Sequence, residues 1–203
     1  MCFILKKINN IISSTVNRDS SAGTLGSASI TISESLGECY IRIYLVVNQN
    51  GITAKYPIGT FLVQTPSSSF NGKIRNVTMD AYTPLIELKE SHPPLGYSLL
   101  EGDNVMEQAY HITQEHLRAP VVNTVGDTTL YYDFVAQTED TWLTFISDLI
   151  AYDKKEFALD EMGRILFAPK QNLASLQPVW TYNDDNSSIL SPDISINHDI
   201  YGI

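Results

Sequence analysis

The chain has 203 residues, of which 43% are hydrophobic and only 18% are charged. This composition is typical of an ordered globular protein with uncharged polar loops, and the length allows one large or two small domains. The formal net charge is −10 with only 13 Lys and Arg, which excludes a general phosphate-backbone binder because such proteins gather basic residues. We therefore expect no sequence-specific nucleic acid partner.

The first seven residues, MCFILKK, place a short apolar segment before two lysines. This segment is too short for the apolar region of a signal peptide or for the roughly 20 residues that span a bilayer. We expect no signal peptide and no stable membrane insertion. The two cysteines, Cys2 and Cys39, form no disulfide framework, and we expect both to be free thiols.

Alternating apolar and polar residues predict strands in the first part of the chain. Residues 27–33 alternate as SASITIS, and residues 39–47, CYIRIYLVV, are the strongest strand candidate. The side chains of the second segment divide between two faces. We expect the core face to hold Ile41, Ile43, Leu45 and Val47, and the outer face to hold Tyr40, Arg42, Tyr44 and Val46.

Turn signals divide the next forty residues. Asn50 and Gly51 predict a tight hairpin turn into a partner strand at residues 52–56. Pro57 and Gly59 then predict a break before a strand at 60–64. A polar loop at 67–72 and a strand at 74–81 are predicted to follow, which gives about five or six strands, enough for a small barrel or sandwich.

The 3.6-residue period of apolar side chains predicts three helices in the second part of the chain. They cover about residues 83–90, 103–117 and 139–152, with Thr83, Asp103 and Thr138 as the predicted N-caps. Glu139 and Asp140 are expected in the first turn of the third helix, and Trp142 on its apolar face.

A hairpin is predicted at about residues 155–168, directly after the third helix. Its turn is Asp160-Glu161-Met162-Gly163, which Asp opens and Gly closes. One or two strands are predicted at residues 130–135. The sequence therefore predicts an α+β protein, in which an antiparallel, barrel-like β-domain precedes an α+β domain with helices and a β-hairpin.

Candidate catalytic and metal-binding groups have structural explanations in the sequence. The four histidines, His92, His111, His116 and His198, lack the short spacing of metal ligands. The paired carboxylates at 139–140 and 160–161 are explained as helix-start and turn residues, and residues 184–188 as a solvated loop rather than a calcium site. We expect no enzyme activity, no metal and no cofactor.

Tyrosines and tryptophans are the candidate binding residues. Tyr40 and Tyr44 on the outer face of their strand suit a subunit interface, because a tyrosine ring offers both apolar area and a hydrogen bond. Trp180 and Tyr182 could form part of an interface or an aromatic platform for a ligand such as sugar.

Four segments, taken in order, resemble the proteins of bacteriophage tail and baseplate hubs. Residues 56–88, YPIGTFLVQTPSSSFNGKIRNVTMDAYTPLIEL, resemble the family's Pro-Leu-Gly-x-Phe strand with its following loop, strand and short helix. The helix at residues 100–117, the Trp-containing helix and hairpin at 138–178, and the Ser-Ile-Leu-x-Pro segment at 187–203 resemble the parts that follow. The resemblance covers residues 26–203.

The resemblance implies a homotrimer, in which two tube-like β-domains per chain form a ring that joins the tail tube to the tail tip. Residues 1–82 would be the first tube-like domain, residues 83–187 an α+β insertion, and residues 188–203 the start of a second, incomplete β-domain. The implied partners are other copies of the chain, a tail tube or distal tail protein, and a spike, fibre or tape-measure protein. The implied location is the virion tail.

The sequence departs from the family at both ends, which predicts a truncated or fragmentary member. Two other functions remain open at this stage. The aromatic residues would suit a carbohydrate- or receptor-binding module at the tail tip, and the carboxylate pairs, less favourably, a cell-wall hydrolase.

Overall fold

A computed structural model describes residues 7–8, 11–33, 36–70, 75–171 and 177. The helices and strands of this described part belong to one compact unit, Met1–Lys170. They form an α+β structure, as the sequence predicted. The predicted domain border after residue 82 stays a prediction, and the predicted third domain at 188–203 lies outside the described residues. Within the described ranges, no helix is long and apolar enough to cross a membrane.

Five strands pair in one antiparallel sheet. They are β1 (Ile11–Asn17), β2 (Ser27–Ile32), β3 (Cys39–Gln49), β4 (Ile52–Phe70) and β5 (Arg75–Tyr82). Their order in the sheet is β1-β2-β5-β4-β3, so β1 and β3 are its two edges. The pairings among the described residues leave this sheet open, and the predicted barrel-like closure is not among them.

One face of the sheet is buried, and its side chains follow the predicted alternation. In β2 and β5, Ile30 lies opposite Met79 and Ile32 lies opposite Val77, and all four are buried. The same face continues into β4 and β3, where Phe61 lies opposite Ile41. Because facing residues of paired strands point to the same side, these side chains form one hydrophobic cluster.

The β3–β4 hairpin turns at the predicted Asn-Gly pair. Asn50 has φ 51° and Gly51 has φ 79°. Two consecutive positive φ angles are those of a type I′ turn, whose twist matches that of the flanking strands. The predicted hairpin is therefore confirmed.

β4 runs without a break through Pro57, where the sequence predicted an interruption. Ile43 pairs with Gly59 and Tyr44 pairs with Pro57, so Ile58 is an extra residue at a shift in the register. A bulge is a position where a strand tolerates proline, because the ladder is already irregular there. The predicted break was therefore wrong.

Two further boundaries differ from the predictions. Residues 67–70 were predicted as a polar loop but continue β4 and pair with β5. Residues 130–135 were predicted as one or two strands, yet only β7 (Phe134–Val135) is a strand, paired with β6 (Ser98–Leu99). Alternation alone does not reveal whether a neighbouring strand is available for pairing.

Three helices pack around a second hydrophobic cluster. They are α1 (Ile86–Lys89), α2 (Val105–His116) and α3 (Trp142–Tyr152). Trp142 is buried on the inner face of α3, as predicted, and Tyr97 packs edge-on against it with ring centroids 4.9 Å apart. The helices and the hairpin residues Ile165 and Phe167 bury their apolar sides in this cluster.

The predicted N-caps were wrong by one to three residues. The N-cap of α3 is Thr141, whose hydroxyl accepts from the backbone N–H of Thr144 at 3.2 Å while the Thr144 hydroxyl accepts from the Thr141 N–H at 2.9 Å. Thr138 was the predicted cap. Asn104 caps α2 where Asp103 was predicted, and α1 begins after Leu85 rather than at Thr83.

Glu139 and Asp140 therefore precede α3 instead of lying in its first turn. Asp140 accepts a hydrogen bond from the backbone N–H of Gln137 at 2.7 Å, which closes a short turn before the helix. Several polar residues at this point of the sequence could cap the helix. The reciprocal hydrogen bonds between Thr141 and Thr144 determine where it starts.

The predicted hairpin after α3 is confirmed as β8 (Lys155–Leu159) and β9 (Ile165–Pro169). Its turn packs against the sheet: Arg42 donates to the Met162 carbonyl at 2.9 Å. At Gly163 a Cβ atom would lie 2.6 Å from the Thr60 Cβ, and φ is 78°. Both the close approach and the positive φ therefore require glycine here.

Candidate interaction surface

The outer half of the β3–β4 hairpin, residues 44–57, is an apolar arm. The core face of β3 is buried at Ile41, which is 8% exposed, but farther along the strand Leu45 is 51% exposed and Val47 39%. The prediction that all four apolar residues of this face belong to the core was therefore wrong for Leu45 and Val47. The alternation of apolar and polar residues in β3 continues beyond the point where other parts of the described chain cover the apolar face.

β4 adds to the same face of the arm. Tyr56 lies opposite Leu45, and Ile52 lies opposite Gln49 at the tip. Ile52 is 73% exposed, the highest value of the arm's large apolar residues, and Tyr56 is also exposed. A contiguous exposed apolar surface of this kind is typical of a protein interaction site.

Internal contacts hold the arm in shape without a covering layer. The ladder pairs β3 and β4 residue by residue to Gln49 and Ile52, and the type I′ turn closes it. Near the tip, the Thr53 hydroxyl donates to the Asn48 side chain at 2.6 Å. The arm is therefore a formed hairpin whose apolar face is unoccupied within this chain's described residues.

The predicted binding residues fall in different surroundings. Tyr44 lies on the other face of the arm and is exposed. Tyr40 is half-buried, with the Arg118 guanidinium 5.6 Å from its ring centroid, and burial together with the nearby Glu87 carboxylate raises its pKa. Trp180 and Tyr182 lie outside the described residues. The role of these four residues in binding stays a prediction.

Arg118 joins the helical part to the strand that carries Tyr40. Its guanidinium donates to Glu38 at 2.6 Å and to Glu87 at 2.5 Å. Its backbone N–H donates to the second carboxylate oxygen of Glu87 at 2.9 Å. Through these bonds and the ring of Tyr40, the beginning of β3 contacts the helical part of the chain. The far end of β3 forms the arm.

The charges of the chain are segregated, a sequence signal that the total of −10 conceals. Residues 39–79, which include β3, β4 and the arm, contain no Asp or Glu. Residues 80–203 contain all but three of the 23 acidic residues and only six of the 13 basic ones. The four basic residues of the acid-free segment are Arg42, Lys55, Lys73 and Arg75.

Five exposed apolar side chains lie on neighbouring segments of the acidic part, and we call them the tyrosine patch. They come from two neighbouring loops, after β6 and before β7, from β7 itself and from the end of α3. Tyr131 and Tyr152 are near each other, with ring centroids 6.2 Å apart, and Tyr132 is 80% exposed. The exposed side chains of the patch are Leu100, Tyr131, Tyr132, Val135 and Tyr152.

Hydrogen bonds fix the two loops that carry the tyrosine patch. The backbone N–H of Gly102 donates to the Leu130 carbonyl at 2.9 Å. The backbone N–H of Glu101 donates to the Asp133 carboxylate at 2.9 Å. The patch therefore combines exposed rings with the exposed acidic residues Glu101 and Asp133, a combination that the predicted strand at 130–135 did not suggest.

Three of the four histidines have separate contacts, and His198 lies outside the described residues. His116 stacks on Trp142 with ring centroids 4.2 Å apart, and His92 lies 2.9 Å from the Asp140 carbonyl through Nδ1. His111 is 3.9 Å from a Glu107 carboxylate oxygen. Across the part of the chain that the structure describes, no three His, Cys, Asp or Glu side chains are grouped to hold a metal ion.

The carboxylate of Asp160 is used in the β8–β9 turn. It accepts from the Arg164 backbone N–H at 2.7 Å and from the Arg164 guanidinium at 2.5 Å. Burial alone would raise the pKa of Asp160, but these hydrogen bonds outweigh burial and lower it. A carboxylate held ionised in this way is a turn residue, in agreement with the structural explanation of the 160–161 pair.

Comparison with solved structures identifies proteins with a similar fold. A 43 kDa tail protein of prophage MuSo2 from Shewanella oneidensis superposes with a TM-score of 0.54 at 10% sequence identity, over 80% of this chain and 56% of that one. A tail protein from Neisseria meningitidis superposes with a TM-score of 0.51 at 12% identity, over 80% and 48%. The chain shares the fold of these tail proteins.

The resemblance to tail proteins is thus confirmed at the level of the fold. The chain spans about half the length of the two tail proteins that it matches. No protein-family model matches the sequence, and no curated protein matches it either.

Proposed function

We propose that this chain is a structural subunit of a phage tail and forms part of a baseplate-hub ring that joins the tail tube to the tail tip. The observation that carries the proposal is the fold shared with two tail proteins over 80% of the chain. In a virion tail, the work of such a subunit is to hold surfaces in fixed positions.

The exposed surfaces support an assembly role. The sheet has two open edges, β1 and β3, among the described residues, and open edges of this kind are commonly covered in assemblies. Ile11 and Ile12 on β1 and the apolar face of the arm are exposed. These surfaces suit contacts with other copies of the chain and with further tail proteins.

The further partners of the proposed ring are a tail tube or distal tail protein on one side and a spike, fibre or tape-measure protein on the other. The proposed oligomer is a homotrimer, whose copies would place their sheets side by side to form a tube-like wall. In this role the chain performs no catalysis, and it is carried in the virion tail.

The alternative of a carbohydrate- or receptor-binding module was based on aromatic residues that include Trp180 and Tyr182. Both lie outside the described residues, so this alternative stays a prediction. A glycan array probed with the full chain separates it from the structural proposal, because specific glycan binding would favour the alternative.

The oligomeric state tests the proposed function. We expect light scattering and sedimentation velocity of the full chain to give a trimer, and negative-stain electron microscopy to give ring-shaped particles. A chain that stays strictly monomeric at high protein concentration would contradict the proposal.

A further inference from the structure

The apolar arm presents an exposed apolar face that contains no acidic residue, and a docking partner must be able to bury such a face. Its exposed face combines Leu45, Val47, Ile52 and Tyr56. The only charged residue within 44–57 is Lys55, which lies opposite Val46 on the other face of the arm. An uncharged apolar face is typical of the buried centre of a protein interface.

Charge restricts how two copies of this chain can meet. Each copy carries a net charge of −10, so contacts between the acidic parts of two copies are repulsive. Residues 39–79 contain no acidic residue, so this segment of one copy meets no like-charge repulsion at the acidic part of another. The absence of carboxylates from the arm therefore favours its pairing with a surface in residues 80–171.

The tyrosine patch has the properties that the arm requires. Exposed rings of Tyr131 and Tyr132 supply apolar area, which interface centres prefer in the form of tyrosine. The acidic residues Glu101 and Asp133 lie in the same two loops, and the arm presents no carboxylate to them. The loops are already held by hydrogen bonds, so docking would require little ordering.

We propose that the arm of one copy of this chain docks on the tyrosine patch of a neighbouring copy. The two surfaces differ, so the contact is heterologous, and repeating it from copy to copy closes a ring when the rotation permits. This inference rests on the proposed function and deepens it, because it names the surfaces through which the copies of the ring meet.

Two single-surface variants test the contact. Ile52→Asp places a charge on the arm, and the double change Tyr131→Ser with Tyr132→Ser removes the rings of the patch. All three positions are exposed, so we expect both variants to unfold as monomers with the unfolding free energy of the wild-type monomer. We expect each variant to associate at least about tenfold more weakly than wild type by sedimentation, which corresponds to about 1.4 kcal/mol.

Mixing the two variants gives the sharper result. Each variant retains the surface that the other lacks, so an equimolar mixture is expected to form a 1:1 dimer, with one intact contact and no third copy. Leu95→Asp is the control, because Leu95 is exposed and belongs to neither surface; this variant should form the wild-type oligomer.

A charge exchange provides an independent readout. Lys55→Glu adds a carboxylate to the acid-free arm and is expected to weaken association with the acidic patch, and adding Glu101→Lys is expected to restore part of it. If the wild-type chain forms a trimer and both single-surface variants also do so, the arm-to-patch contact is wrong while the proposed ring stands. If the wild-type chain is monomeric, both proposals fail.

Discussion

Arg118 binds Glu87 twice, through its backbone N–H at 2.9 Å and through its guanidinium at 2.5 Å. The Glu87 side chain is only 12% exposed, whereas Glu38, the other partner of Arg118, is 60% exposed. One residue thus joins the end of α2, the start of α1 and the base of β3.

Replacement of Glu87 tests this junction. Glu87→Gln keeps the volume but weakens a charge-assisted hydrogen bond in a mostly buried site, and we expect a loss of roughly 1.5 to 3 kcal/mol in the free energy of unfolding. Glu38→Gln is the matched control, with an expected loss of about 0 to 1 kcal/mol because its ion pair is exposed. Urea denaturation measures both, and equal losses would contradict the assigned difference.

Asp153 predicts a dependence of stability on pH. Burial alone would raise its pKa, but hydrogen bonds from Lys155 and Thr128 outweigh burial and lower it below the ordinary value of 3.8. A lowered pKa contributes stability above the unfolded-chain pKa, and this contribution is lost as the pH falls through the folded-state value.

Asp153→Asn should therefore cost roughly 1.5 to 3 kcal/mol of unfolding free energy at pH 7 and make stability less dependent on pH below about 4. Both side chains of the Asp153–Lys155 pair are mostly buried, so the variant leaves the ammonium group without its carboxylate. Asp148→Asn, at an exposed position of α3, serves as the control. A variant with the wild-type pH profile would show that this ion pair is not coupled to folding.

The contact of Gly163 with Thr60 can be separated from backbone strain. Gly163 and Gly96 have the same φ of 78°, but a Cβ at residue 163 meets Thr60 at 2.6 Å, whereas one at residue 96 meets nothing within 4 Å. Alanine at either position adds strain of about 1 kcal/mol. We expect Gly163→Ala to lower the unfolding free energy by a further 1 to 3 kcal/mol, approximately the cost of overpacking. Thermal denaturation of the two variants measures the difference, and equal melting temperatures would refute the contact.

The N-cap of α3 can be assigned by mutation. Thr141→Ala removes the hydroxyl that caps Thr144, so we expect a loss of about 1 kcal/mol in the free energy of unfolding. Thr138→Ala, at the position that the sequence predicted, should change it by less than about 0.5 kcal/mol. Circular dichroism during urea denaturation measures both; a larger effect at residue 138 would favour the sequence-based assignment.

Two positions on one face of β3 should respond differently to alanine. Ile41→Ala removes a buried side chain and should cost about 2 to 5 kcal/mol of unfolding free energy. Leu45→Ala removes a half-exposed one and should affect association more than stability. Measuring the monomer's unfolding and the oligomer's dissociation for each variant checks this, and equal unfolding losses would place Leu45 in the core.

The elements that the sequence predicted well are those with a local cause. The Asn50-Gly51 turn, the SASITIS strand and the β8–β9 hairpin each depend on residues close together in the chain. The break at Pro57 was predicted wrongly. Whether β4 tolerates a proline there depends on the irregular pairing with Tyr44, which lies opposite Pro57 in the sheet but 13 residues before it in the sequence. Thr138 and Thr141 are both acceptable caps, and only the reciprocal bond with Thr144 decides between them.

The candidate surfaces were harder to predict. Alternation in β3 identifies which residues share a face, but it does not reveal how far along the strand that face is covered. Tyr44 was expected at an interface and lies on the arm, yet the exposed face of Leu45 and Ile52 was assigned to the core or left unassigned. The separation of the acid-free residues 39–79 from the acidic residues 80–203 was present in the sequence. It indicates candidate contact surfaces only after the structure shows where the strands, helices and loops lie.

The length of β4 has a consequence for the rigidity of the arm. One strand of 19 residues passes from the tip of the arm through the buried core of the sheet, a span of roughly 60 Å at strand rise. The described chain has no loop between arm and core that could act as a hinge, and the bulge at Ile58 bends and twists the strand locally. The direction of the arm is consequently set when the sheet folds. A docking partner therefore meets a preoriented hairpin instead of a loop that must first be immobilised.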